Sequence, residues 1–136
     1  MKKKHVIIAI ICIAVVIGGY YGIKGIRSLI DLKTYQKQVN DITISEVDLN
    51  KVPDGTYTGK SDVLWVGAEV KVTVKDHKIT AIDLVNHRNE RGAKAEVLPE
   101  KVVEAQSLKV DIISGATASS KNILKAIENA LESGIK

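Results

Sequence analysis

Near the C-terminus, seven consecutive residues place a carboxylate and two hydroxyls around a Gly-Ala pair that leaves room for a ligand. The run is Asp111-Ile112-Ile113-Ser114-Gly115-Ala116-Thr117. Apolar residues then recur at helical spacing after Ser119 and Ser120, at Ile123, Leu124, Ile127 and Leu131. Thr117 is therefore predicted at or just before a helix N-terminus, where unpaired backbone NH groups favour a phosphate. A turn and a serine-capped helix without any ligand would give the same pattern.

This heptad resembles the flavin acceptor site of the FMN-binding domain family. That family includes the flavin subunits of the Rnf and Nqr complexes and membrane-anchored electron-transfer flavoproteins. The resemblance implies that a flavin transferase links FMN to the hydroxyl of Thr117 through a phosphoester. The predicted cofactor site comprises Thr117 together with Asp111, Ser114, Gly115, Ala116, Ser119 and Ser120.

Two further blocks resemble the family and stand in its order along the chain. Residues 54–59 match its opening turn and strand, and residues 98–107 match the helix that precedes the acceptor segment. The resemblance covers about residues 48 to 133. It implies that this part of the chain is the FMN-binding domain.

An uncharged run from Val6 to Ile23 follows the basic tip Lys2 to Lys4. As a helix it would span about 27 Å, which is close to the hydrocarbon thickness of a membrane. We interpret it as an uncleaved signal anchor, with a cleaved signal peptide as the alternative. The basic tip predicts that the C-terminal domain is extracytoplasmic. The predicted organisation is a tip and transmembrane anchor (1–23), a stalk or linker (24–47) and the FMN-binding domain (48–136).

The net charge of +4 does not indicate a nucleic-acid partner. Three of the 20 basic residues precede the apolar run, so the remaining 17 nearly balance the 16 acidic residues. The chain also has one Trp, four Tyr and no Phe, which provides few stacking surfaces for bases. Three scattered histidines and the single cysteine, Cys12, give no metal-ligand spacing. No nucleophile with a partnered base is recognisable either.

The region after the stalk predicts an α+β fold, a small antiparallel sheet with two helices, preceded by one transmembrane helix. Alternation predicts strands in Thr56–Val74 and from Ile79, with a turn at Asp76-His77. Asn86 to Lys94 is predicted as a loop and Pro99 to Ser107 as a helix. Lys109 to Ile113 is predicted as a short strand. The last helix is expected to run to about Glu132, with Gly134 stopping it.

Several residues could contact the flavin ring or tune its charge. Trp65 could stack on the ring or anchor the core, and His87 could donate a hydrogen bond or be solvated. Glu90, Arg91 and Lys94 carry the same alternatives.

The predicted function is electron relay on the outer face of a membrane by covalently bound FMN, with no catalytic residues assigned. The expected partners are a flavin transferase, a membrane electron donor and an extracytoplasmic electron acceptor. The first alternative is a reversible flavin-binding or scaffold subunit of a larger membrane redox complex. The second is a reductase with its own substrate pocket. The donor, the acceptor, the redox potential and the oligomeric state have no signature in the sequence.

Overall fold

The computed structural model describes residues 2–89 and 91–135. It divides into two compact units, Met1–Thr34 and Tyr35–Lys136. The helices are α1 (Lys2–Asp41), α2 (Leu98–Ala105) and α3 (Thr117–Ile135), and the strands are β1 (Gly55–Asp62), β2 (Gly67–Lys75) and β3 (Lys78–Arg88). Short 3-10 helices occupy Leu49–Lys51 and Ala93–Val97.

The described residues of the first unit all belong to α1, and they include the apolar run. The most apolar window of this helix has a mean hydropathy of 2.6, and none of that window is buried. A core helix of a soluble protein would be covered by the rest of the chain. By length and composition, α1 is able to cross a membrane.

The second unit is built on an antiparallel sheet with the strand order β1-β2-β3. Alternation along β2 buries Val70, Val72 and Val74 on one face, as the sequence predicts. Asp76 and His77, which join β2 to β3, have φ values of 51° and 61°. Positive φ at both central residues suits a two-residue hairpin turn. The predicted α+β class and antiparallel sheet are confirmed.

Helix α3 packs across the buried face of the sheet, and two glycines allow the close contact. A Cβ at Gly59 of β1 would lie 2.8 Å from the Ala130 Cβ and closer still to backbone atoms of α3. A Cβ at Gly134 would lie 2.7 Å from the Tyr57 ring. Helix α3 continues through Gly134 to Ile135, so Gly134 does not stop the helix, which corrects the predicted helix end.

The segment from Lys109 to Ile113 is not a strand in the described structure, which corrects the sequence prediction. The side chain of Gln106 occupies the edge of β3 instead. Its Oε1 accepts from the Ile79 amide and its Nε2 donates to the Ile79 carbonyl, both at 2.7 Å. A second correction concerns the predicted loop from Asn86, because β3 continues to Arg88.

Two lysines of α3 hold the C-terminal end of α1 and the residues just after it, all of which belong to the second unit. Lys121 Nζ donates to the Val39 carbonyl at 3.3 Å, and Lys125 Nζ donates to the Thr43 carbonyl at 3.1 Å. Cations at this position also complement the partial negative charge of a helix C-terminus. Val39 is buried in a small apolar cluster with Val63 and Val66. The residues from Tyr35 onward are therefore packed as part of the domain.

Candidate functional site

The acceptor segment makes a tight turn directly before α3, and three hydrogen bonds fix its shape. The Ile113 amide donates to Ser120 Oγ at 3.0 Å, and the Ala116 amide donates to the Ile113 carbonyl at 3.0 Å. The Ser120 amide donates to the Ala116 carbonyl at 2.8 Å, which is the first bond of the helix. Gly115 has a φ of 80°, a left-handed conformation that favours glycine. The turn therefore depends on residues within the heptad and the first turn of α3.

Thr117 is the first residue of α3, and its side chain is exposed. Among the described residues, no side chain accepts a hydrogen bond from the amides of Thr117, Ala118 or Ser119. The first turn also contains no acidic residue. Free amides and the positive end of the helix dipole face the same region as the threonine hydroxyl, which is the arrangement that binds phosphate groups.

Two cavities border Thr117. The first has a volume of about 320 Å³ and is lined by Tyr35, Val66, Arg91, Gly92 and residues 115–119. The second, of about 390 Å³, is lined by Tyr35, Gln36, Val39, Asn40, Thr117 and Ala118. Both volumes fall in the range of small-molecule sites, about 300 to 1,000 Å³. The described lining of the first cavity contains one cation, Arg91, and no carboxylate.

The other predicted site residues, in the heptad and in the first turn of α3, differ in how exposed they are. Asp111, Ser114 and Gly115 are exposed, whereas Ala116 is buried. Ser119 lines the first cavity. Ser120 is fully buried and its hydroxyl holds the Ile113 amide, so the structure gives it a role in shaping the turn.

The residues predicted to contact or tune the flavin lie in different parts of the structure. Trp65 packs against the Tyr35 ring, with ring centroids 4.8 Å apart, and does not line either cavity. His87 lies in β3, and its sheltered side chain places Nδ1 2.9 Å from Glu96 Oε1. Arg91 lines the first cavity, whereas Lys94 is exposed in a 3-10 helix and lines neither cavity. Glu90 lies outside the described residues.

The cavities include residues that the sequence analysis did not assign to the site. Tyr35 comes from the segment predicted as a stalk, and Val66 and Gly92 come from connecting loops. Only a weak sequence pattern was available to predict these residues. Tyr35 and Val39 are four residues apart and lie on one face of a helix, but the spacing alone does not identify what that face contacts.

Together, the exposed hydroxyl, the helix amides without side-chain acceptors and the adjoining cavity form an arrangement that suits a small phosphate-bearing ligand. A family comparison identifies that ligand class more closely. Residues 64–132, slightly more than half of the chain, match the model of the FMN-binding domain. The chain belongs to the FMN-binding domain family, as the heptad predicts.

Two relatives show how this domain occurs in longer proteins. An uncharacterized protein of Treponema pallidum (strain Nichols) is 24% identical over 128 residues, which is 92% of this chain and 34% of the relative. An NADH:acrylate oxidoreductase of Vibrio harveyi is 33% identical over 92 residues, which is 62% of this chain and 9% of the relative. The chain thus spans about a third of one relative and less than a tenth of the other.

Proposed function

We propose that this protein is a membrane-anchored flavoprotein that carries FMN esterified through its phosphate to Thr117 and relays electrons on the outer face of the membrane. The observation that carries the proposal is the exposed Thr117 hydroxyl at the amide-rich end of α3, beside a cavity. The family match supports FMN as the ligand. The name of the Vibrio relative supports a redox role.

The residues around Thr117 fit a phosphate ester. The turn leaves open space at Gly115, where an added Cβ would have no neighbour within 4 Å. Arg91 adds a permanent positive charge on the cavity wall, and a guanidinium suits phosphate oxygens. Bound FMN supplies reversible electron transfer through its ring. The chain itself supplies the attachment point, the amides and the walls.

Attachment requires a partner, because no described carboxylate or imidazole lines the first cavity to activate the hydroxyl. In the proposed step, Thr117 Oγ1 attacks the FMN phosphorus of FAD. The new Oγ1–P bond replaces the pyrophosphate bond, AMP leaves, and the proton passes to a base of the flavin transferase. Asp111 is exposed next to the turn, where its carboxylate is accessible to that enzyme.

A comparison of binding free energies favours a covalent link over reversible binding. A micromolar site corresponds to only about 8 kcal/mol at standard state. A helix terminus contributes about 0.3 to 2 kcal/mol toward an anion. FMN lost outside the cell would be diluted without resupply, and the covalent bond prevents that loss.

The decisive experiment is to produce the full chain together with a flavin transferase and to measure its mass after denaturation. We expect one FMN ester on the wild type, none on Thr117→Val, and partial attachment on the matched variant Thr117→Ser. Flavin fluorescence in a denaturing gel gives the same comparison, and Asp111→Ala should be flavinylated more slowly. Wild-type flavin signal in Thr117→Val would refute Thr117 as the acceptor. Flavin released by acid precipitation would instead favour the reversible-binding alternative.

The orientation follows from the basic tip and is tested separately. Protease added to intact cells or protoplasts should remove the domain when residues from about Thr34 onward face outward. Digestion only after lysis would reverse the proposed orientation. Electron relay predicts that the flavin-loaded protein accepts electrons from a chemical reductant and passes them to soluble dyes with little selectivity. Saturable reduction of one small organic substrate would favour a reductase.

A further inference from the structure

Tyr35 is one of three residues that line both cavities beside the acceptor threonine. The first cavity contains Tyr35 together with Val66, Thr117 and Ala118, and the second contains Tyr35, Thr117 and Ala118 without Val66. A ligand attached to Thr117 therefore meets the same aromatic side chain whichever of the two cavities it occupies. Thr117 is the proposed attachment point, so Tyr35 is the aromatic wall common to both.

The position of Tyr35 is fixed by the domain. Trp65 packs against its ring, with centroids 4.8 Å apart and the planes tilted by 37°. The loop that carries Trp65 is itself bound to the same helix, because the Leu64 amide donates to Gln38 Oε1 at 2.8 Å. Its ends are closed by a bond from the Val63 amide to the Val66 carbonyl at 2.8 Å. A ring held in this way needs no reordering to receive a planar ligand.

The lining of the first cavity has a positively charged, polar part and an apolar part. Arg91 and the first turn of α3 provide positive charge and amides, which suit a phosphate. Tyr35 and Val66 provide aromatic and apolar surface, which suits a flat conjugated ring. Tyr35 is only partly buried, so its ring retains accessible surface despite the contact with Trp65.

We propose that Tyr35, from the last turns of α1, contacts the ring system of the flavin attached to Thr117, and that Trp65 is the positioning residue behind it. This inference rests on the proposed function. It adds a residue outside the span 64–132 that matches the family. The segment that joins the membrane helix to the domain thereby forms part of the cofactor site.

The test uses the flavinylated full chain and compares Tyr35→Leu with Tyr21→Leu, a matched control on an exposed part of the same helix. A tyrosine in contact with a flavin quenches its fluorescence by electron donation. We expect native Tyr35→Leu to lose part of this quenching, whereas Tyr21→Leu keeps the wild-type yield. The ester content, measured by mass, should be equal in all three proteins. Trp65→Leu should change the yield in the same direction because the Tyr35 ring loses its support.

A second measurement removes the covalent bond. In a Thr117→Val background, Tyr35→Leu should weaken the binding of free FMN by about two- to tenfold, as expected for one aromatic contact. Tyr35→Phe should retain affinity, since it keeps the ring. A folded Tyr35→Leu protein with unchanged quenching and unchanged ester content overturns the contact but leaves the proposed function intact. A wild-type protein that acquires no FMN ester and binds no free FMN overturns both.

Discussion

Replacing Gly92 by alanine tests how closely the loop after β3 fits against the acceptor helix. The added Cβ would lie 2.5 Å from the Ser119 Cβ and closer still to the Ser119 hydroxyl oxygen. Rotation about χ1 can move the hydroxyl away. The Ser119 Cβ is fixed by the helix backbone, so the loop or the first turn of α3 must shift.

The expected change in the free energy of unfolding follows from the atoms that clash. Over-packing of this kind destabilises by about 1 to 3 kcal/mol. Ser119→Gly removes both clashing atoms, at a helix-propensity cost of about 0.5 kcal/mol. The next neighbour of the new Cβ is then the Asn89 Cβ at 3.4 Å, an ordinary contact. The double variant should therefore lose less stability than the sum of the two single losses, by about 1 to 3 kcal/mol.

Urea unfolding of the full chain in detergent provides the assay, because Trp65 is the only tryptophan and reports on the domain. With a slope of about 1 to 3 kcal/mol per molar urea, Gly92→Ala should lower the midpoint by roughly 1 M. Ser119→Gly should recover most of that loss, whereas Ser119→Ala keeps the Cβ and should not. A wild-type midpoint for Gly92→Ala, or equal rescue by the two Ser119 variants, would refute the argument.

Two further predictions concern the packing of α3. Ser120→Ala leaves the partly buried Ile113 amide without its acceptor and should destabilise by about 0.5 to 1.5 kcal/mol, while the flavin content of the folded protein stays at the wild-type level. Loss of flavin without loss of stability would instead make Ser120 a cofactor contact. Gly59→Ala should destabilise by about 1 to 3 kcal/mol in the same urea assay, because its Cβ meets the backbone of α3. The control Gly25→Ala, with no neighbour within 4 Å and a helical position that favours alanine, should not lower the midpoint. An equal loss in the two variants would contradict the close contact.

The sheet was predictable because its evidence is local. Alternation in β2 and the turn at Asp76-His77 are patterns of adjacent residues, and the structure retains both. The predicted strand at Lys109–Ile113 was wrong because a strand needs a pairing partner from elsewhere in the chain, and local alternation does not show whether one is available. At Ile79, the edge of β3 bonds to the Gln106 amide.

The acceptor turn and the segment that carries Tyr35 also differ in whether their evidence is local in the sequence. The hydrogen bonds that shape the acceptor turn all lie between Ile113 and Ser120, so a contiguous motif was enough to predict that Thr117 begins a helix. Tyr35 reaches Thr117 only through packing between segments far apart in the chain, such as the bond from Lys121 to the Val39 carbonyl across 82 positions. The motif can therefore specify the proposed attachment point without specifying the surface that we propose lies against the flavin ring. Chains with the same heptad but different preceding helices should hold the same cofactor in different surroundings.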